Sequence, residues 1–418
     1  MQLTILEYRD HNMRVLFAKL FALGVLTGPG QASPVQTQHT SQVHPFTINL
    51  SSRVPRMLEQ IRSTQLLSQP VYTDTGNANG ISLHDLKSLQ KQWLTVFDWE
   101  SEQQEINKFK HYTTLIEGLT IHFVHEKSNA TDAIPLVLLH GWPGSFLGFT
   151  PIIEELTKQA TTATGKKVAF DVIVPSLPGF AFSSAPPVKW TISDSARIIN
   201  TLLTQVLHYD TYALFGTDFG AGIGYDLYDQ YNATVRAAHL AFLPFLPLNS
   251  AQLDAQNITL NSLEAFEESV TTEWSTTGEG YFLEQTTKDN AVGQLAWIGE
   301  KFLNWSDPSA GTAPSVLTHN EILRHVSLYY LTESFASSVV IYAQNSQGFG
   351  SVYSKARTDA PLLFSAFKYN VGFWPPALVA KTGNLVLYNN RDFGGHFPAL
   401  DNPPALLGDL REIGNYWK

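Results

Sequence analysis

The chain has 418 residues, 44% hydrophobic and 15% charged. That is enough apolar content for a sizeable core and too much for a disordered or collagen-like chain. A formal net charge of −10 argues against nucleic-acid binding, which needs a basic face to displace counterions. The absence of cysteine excludes disulfides, Cys-ligated zinc, iron–sulfur clusters and thiol nucleophiles together, so any nucleophile is an oxygen or nitrogen group.

At ~150 residues per domain the length allows two or three domains, or one α/β domain with insertions. The 9 Trp, 16 Tyr and 25 Phe suit an ordinary large core and equally a large apolar cavity. Val15–Leu26 reads VLFAKLFALGVL, follows Arg9 and Arg14, and precedes GPGQAS. It is too short to cross a bilayer, which takes ~20 residues. It fits the apolar region of a secretory signal, with cleavage expected after Ala32. Met13 is an alternative start, and Lys19 interrupts the run. Residues 1–32 are therefore read as a signal-like leader and 33–44 as a Gln/Ser/Thr-rich linker. Sequons at Asn49, Asn129, Asn232, Asn257 and Asn304 add mild support for a secreted glycoprotein. The alternative is a cytoplasmic or membrane-associated enzyme.

From Pro45 the pattern is globular. Helical spacing runs through 51–69 (Val54, Met57, Leu58, Ile61) and 82–97 (Leu83, Leu86, Leu89, Trp93, Phe97). Strand-like runs follow at Leu119–Val124, Ile134–Leu139, Phe170–Val174, Tyr212–Phe215 and Ala238–Phe242, most of them separated by helical stretches. This βαβ alternation predicts a mostly parallel, doubly wound sheet. From Leu248 to about Ser346 helices dominate, for example Gln294–Leu303. The strand pattern returns at Asn384–Tyr388, before a helix near Ala405–Ile413. A sheet interrupted by ~100 helical residues predicts an inserted helical cap.

Three segments carry chemistry. Tyr212–Tyr225 reads YALFGTDFGAGIGY, a strand entering Gly216-Thr217-Asp218-Phe219-Gly220 and then a helix. This is the nucleophile-elbow form, G-x-Nuc-x-G, with Asp at its centre. A carboxylate is a poor acyl-transfer catalyst, but it attacks a saturated carbon bearing a strained or good leaving group. That points to epoxides or haloalkanes. The alternative is an Asp that merely caps the following helix. His140-Gly141-Trp142-Pro143-Gly144, about 75 residues earlier, also follows a strand. It can aim the Trp142 N–H, with that of Phe219, at a developing oxyanion, or it is only a tight turn. His396 follows the last strand and Gly394-Gly395. It is placed to activate water as a general base, or it is an ordinary surface or core histidine among 13.

These segments in this order resemble the microsomal-type epoxide hydrolases of the α/β-hydrolase fold. The likeness runs from about Pro45 to the C-terminus. It includes HGWPGSF (140–146), PSLPGFAFSS (175–184), GTDFGA (216–221), QLAWIGEKF (294–302), SLYYLTESF (327–335) and GNLVLYNNRDFGGHFPAL (383–400). FTINL (46–50) and FDWESEQQEINKF (97–109) resemble the family's N-terminal region. The resemblance implies an N-terminal region over 45–117, a core over 118–247, a cap over 248–346 and a second core segment over 347–418. It implies Asp218 as nucleophile, His396 as base, and two cap tyrosines that bind the epoxide oxygen. GEGYFLEQTT (278–287) places Tyr281 in the first tyrosine position, and SVVIYAQ places Tyr342 in the second. The stretch after Gln285 is shorter than usual and lacks the Arg-Pro that follows the Thr pair. A small apolar epoxide and water are the implied reactants, without metal or organic cofactor, and this branch sometimes forms homodimers.

One departure is large. The family places Asp or Glu about 26 residues before the base. Here FSAFKYN ends in Asn370, 26 residues before His396. Three readings stay open: Asn370 orients the imidazole, another carboxylate such as Asp392 replaces it, or the triad is inactive. Accordingly, three functions are expected to compete. One is hydrolysis of an epoxide to a diol. Another is biosynthetic epoxide opening, on a lipid or polyketide of secondary metabolism, to a cyclic ether. The last is a catalytically silent ligand-binding protein.

Overall fold

The computed structural model describes residues 42–70, 80–278, 290–345 and 349–418. The leader 1–32 and most of the linker lie outside them. Four apolar runs, Ile134–Leu139, Phe170–Pro175, Tyr212–Gly216 and Val235–Leu240, are buried along nearly their whole length. Side chains alternate across a strand, so such runs must be covered on both faces, as in a parallel sheet between helices.

The strands are β1 His44–Phe46, β2 His111–Ile116, β3 Leu119–Glu126, β4 Ile134–Leu139, β5 Ala160–Thr161, β6 Lys167–Val168, β7 Phe170–Pro175, β8 Tyr212–Gly216, β9 Val235–Leu240, β10 Pro361–Tyr369 and β11 Asn384–Gly395. Nine form one sheet in the order β1-β2-β3-β7-β4-β8-β9-β10-β11, and β5 pairs with β6 apart from it. β1, β2, β3 and β7 are joined antiparallel. All pairings from β7 to β11 are parallel. β4 has β7 on one side and β8 on the other, so the winding reverses at its C-terminal end and opens a crevice there.

Five strands escape the sequence reading, among them the short β1, β5 and β6. β2 (HYTTLI) is too polar to announce itself. It is made by pairing with β3 across Glu117-Gly118, whose positive φ values of 50° and 83° suit a two-residue hairpin turn. β10 (PLLFSAFKY) is built by parallel neighbours on both sides. Other boundaries move. β9 begins at Val235 rather than Ala238, and β11 continues past Tyr388 to Gly395. The helix near 51–69 stops at Ser63, and the terminal helix is three short ones, Pro398–Asp401, Pro403–Arg411 and Ile413–Tyr416.

Between β9 and β10 the described residues form the helices Ser250–Asp254, Ser262–Thr277, a helical stretch over Ala291–Asn304, His319–Thr332 and Phe335–Gln344. The N-terminal helices Val54–Ser63, Leu83–Thr95 and Trp99–Ile106 bury stripes that include Met57, Ile61, Leu89 and Trp93. They grip the helix His319–Thr332. Trp93 Nε1 donates to Ser327 Oγ at 2.9 Å, Tyr330 Oη to Gln60 Oε1 at 2.8 Å, and Asn320 Nδ2 to Glu102 Oε1 at 2.8 Å. From the same helix Tyr329 Oη donates to Gly144 O at 2.8 Å. The N-terminal helices thus brace an element that itself braces the loop after β4.

Candidate active site

β4 and β8 are hydrogen-bonded neighbours with Leu139 opposite Gly216. Their C-terminal loops, HGWPG and GTDFG, therefore emerge side by side. Asp218 has φ 52° and ψ −131°, a conformation costing an L-residue about 1–3 kcal/mol. The elbow holds it there by close backbone approach. A β-carbon at Gly220 would overlap Leu139 O, and one at Gly216 would overlap Gly220 O. The side chain makes no capping bond to its own helix, Phe219–Gln230. The cap reading of Asp218 is thereby overturned, because the strained backbone turns the carboxylate away from the helix amides.

Asp218 Oδ1 instead accepts from the Trp142 N–H at 2.7 Å. The carboxylate lies over Gly141, where any β-carbon would collide with it. Phe219, the other expected oxyanion donor, opens the helix directly after Asp218. His140 is fully internal: Nδ1 donates to Gly141 O at 3.1 Å, and Nε2 accepts from Leu177 N at 3.2 Å. Burial lowers its pKa to about 4, so it is a neutral brace between the loops after β4 and β7.

His396, 2% exposed, follows β11. Its Nε2 stands 3.5 Å from Asp218 Oδ2, and its Nδ1 is 2.8 Å from Asn370 Oδ1. Asn370 follows β10, and its Nδ2 donates to Ala241 O at 3.0 Å. A carbonyl only accepts, so the amide nitrogen must face Ala241 and the amide oxygen must face the ring. That oxygen requires a proton on Nδ1, which leaves the Nε2 lone pair facing Asp218. Asp392 is exposed on β11; the residue hydrogen-bonded to Nδ1 is Asn370.

Aromatic rings wall the site. Tyr342, on the helix Phe335–Gln344, is buried with its ring 4.7 Å from Phe219 and 5.6 Å from Trp142, edge-on to both. Trp305 stands edge-on to His396 at 5.1 Å, and Phe242 at 5.8 Å. Tyr281 lies outside the described residues. The sequence reading did not single out Trp305 or Phe242; nothing in their neighbourhood distinguishes them from core aromatics. It also missed Asp307 and Asp401, buried carboxyls beside the His396 loop. Burial, reinforced by the nearby Asp307 charge, pushes Asp401 up to about 8. Among the described residues no cluster of His, Asp and Glu could hold a metal ion. All five sequon asparagines, Asn49, Asn129, Asn232, Asn257 and Asn304, are exposed.

The chain is similar to known proteins in sequence and in fold. Residues 43–149 match the family "Epoxide hydrolase N terminus" and 134–270 the family "alpha/beta hydrolase fold". A putative epoxide hydrolase of Stigmatella aurantiaca is 36% identical over 80% of this chain and 76% of its own length. Epoxide hydrolase 1 of Sus scrofa is 30% identical over 92% of this chain and 91% of its own. The solved Aspergillus niger epoxide hydrolase superposes with a TM-score of 0.77 at 31% identity, covering 90% of this chain and 97% of the other.

The Asp401 environment makes stability depend on pH. Its folded value of about 8 lies above the ordinary 3.8. Between those values the folded chain keeps a proton that the unfolded chain releases. Stability from this group therefore falls as pH rises through that window and is flat above it. Asp401→Asn cannot ionise. The Tm of the native chain minus that of the variant should decline from about pH 5 to pH 8. A difference independent of pH would show that Asp401 does not hold the proton.

Proposed function

This chain belongs to the microsomal-type epoxide hydrolase family, with the α/β-hydrolase fold, and from that premise we propose that it hydrolyses a small apolar epoxide to a vicinal diol through an ester at Asp218. An Asp218 carboxylate oxygen attacks an epoxide carbon and the ring C–O bond breaks. Tyr342, with Tyr281 as the family pattern implies, donates the proton that the departing alkoxide needs. A phenol of ordinary pKa near 10 is protonated at neutral pH and suits that task. His396 Nε2 then takes a proton from water, whose oxygen adds to the ester carbonyl. The N–H groups of Trp142 and Phe219 receive the resulting oxyanion. Collapse expels the second diol oxygen, which takes the proton held by His396; the remaining water proton returns to the phenolate, leaving Asp218 a carboxylate with one water-derived oxygen.

The observation that carries this reading is the unbroken line of contacts from Trp142 N through Asp218 and His396 to Asn370. In a serine-protease triad, Asp→Asn costs about 10⁴ in turnover because the wrong tautomer results. Ala241 O removes that fault here by engaging the amide nitrogen. What Asn370 does not supply is a full charge for the imidazolium. Turnover in H₂¹⁸O should label the Asp218 peptide, and His396→Gln should accumulate an alkyl-enzyme in intact mass. An unlabelled Asp218 peptide after repeated turnovers would sink the covalent route. A cyclic ether in place of the diol would favour the biosynthetic alternative.

Asn370→Asp separates charge from orientation. Single-turnover ester hydrolysis should rise by roughly tenfold, equivalent to ~1.4 kcal/mol of added imidazolium stabilisation. The Tm should fall, because a carboxylate oxygen would then face Ala241 O without a proton between them. An unchanged rate would mean that charge at this position is dispensable.

We further propose entry into the secretory pathway, with N-glycans on the exposed sequons. The support is the apolar run Val15–Leu26 together with the exposure of all five asparagines. Expressed in a eukaryotic secretory host, the protein should lose mass on endoglycosidase treatment. A mass already equal to that of the bare polypeptide would overturn the glycosylation.

A further inference from the structure

We infer that Asp307 is a positioning residue for His396, so that the segment Trp305–Asp307, which follows the helical stretch Ala291–Asn304, is the mounting of the general base. The inference rests on the reading of His396 as that base. His396 is approached through Gly394 and Gly395. Gly394 has φ 106°, a conformation open to glycine and strained for other residues. Paired glycines allow the tight approach but leave the chain free to take other paths, so something must select this one.

The selection comes from the segment 305–307. Gly394 N–H donates to Asp307 Oδ2 at 3.2 Å, and His396 N–H donates to Trp305 O at 2.7 Å. A β-carbon at Gly395 would overlap Trp305 O and press on Ser306 Cα, so the two backbones lie flush. Asp307 is itself pinned. It is 5% exposed, and its Oδ1 accepts from Ser309 N at 2.9 Å and Ser309 Oγ at 2.5 Å. The segment also supplies the Trp305 ring against the imidazole, and Phe397 stacks on Phe302 at 4.3 Å. Asp401 lies behind Gly395, its Oδ2 3.0 Å from where a β-carbon would stand.

Asp218 is held by different bonds, in the β8 elbow and at Trp142. The two half-reactions therefore depend on different mountings. Loss of the Asp307 anchor displaces the base and leaves the nucleophile in place. A displacement near 1 Å in a catalytic group costs about 100-fold in rate.

The test is single-turnover mass spectrometry of the full chain with styrene oxide, following formation and decay of the alkyl-enzyme. For Asp307→Ala, ester decay should slow by about 100-fold while ester formation stays within about threefold. Asp307→Asn should recover part of the decay rate: its amide oxygen can keep Gly394 N–H and its nitrogen can donate to Ser309 Oγ, while Ser309 N–H loses its acceptor. A merely destabilised protein would slow both phases and show no such rescue. Ester decay in Asp307→Ala at the native rate overturns the inference. If that variant does not fold, Ser309→Ala at an exposed position loosens Asp307 instead, and decay slowed by about threefold with unchanged formation is expected. Equal decay would overturn the inference there too. His396→Gln is the control: if it forms no adduct, or clears the ester at the native rate, the reading of His396 as the base fails instead.

Discussion

The closest constraint in this molecule is the contact between the loops at the ends of β4 and β8. Parallel pairing sets Leu139 against Gly216, and the two chains leave the sheet too close together for side chains between them. Gly141, Gly216 and Gly220 each stand where a β-carbon would strike the opposite loop or its own turn. That crowding is what sustains the positive φ at Asp218 and presents its carboxylate to the Trp142 N–H. The strain at one residue is small beside the burial of the strands that impose it.

The remaining parts of the site hang on this edge from three directions. Asn370 and His396 arrive at the ends of β10 and β11, whose pairing brings Tyr369 opposite Gly395. Trp305 and Asp307 reach the same loop from the helical insertion. The N-terminal helices hold His319–Thr332, whose Tyr329 holds Gly144. The insertion therefore does more than cover the sheet edge. Its residues supply a ring, a carbonyl and a carboxylate to the surroundings of the imidazole. The aromatic surplus of the composition has a visible use here, with Trp142 edge-on to Trp305 and Tyr342, Tyr342 edge-on to Phe219, and Phe242 edge-on to His396, an arrangement that favours the ring quadrupoles.

Asn370 shows how a neutral group can orient a buried imidazole. The amide is oriented because Ala241 O can only accept and so takes the N–H; the amide oxygen then faces the ring and fixes the proton on Nδ1. Orientation and tautomer are kept, and only the charge is given up. The buried carboxyls at Asp307 and Asp401 do not replace it in that contact. One is occupied with backbone N–H groups, and the other is kept neutral near pH 7 by its burial.

The sequence by itself determined the parallel core, through apolar runs that fit no half-exposed strand. It also determined the elbow, through two glycines bracketing Asp218, and the position of His396 after its strand; Asn370 is reached through the family resemblance, because β10 leaves no strand pattern of its own. These features are local: a turn or a doubly buried strand needs particular residues at fixed spacing. The sequence could not determine β2, which exists through pairing with β3, or that Asp218 turns away from its helix amides. Only the tertiary structure decided that Asn370 Nδ2 meets Ala241 O, 129 residues away, and that Asp307 meets Gly394, 87 residues away. Those contacts are single hydrogen bonds between distant segments. They leave no periodicity in the chain, and the identity of the partner follows only from how the sheet and the insertion pack.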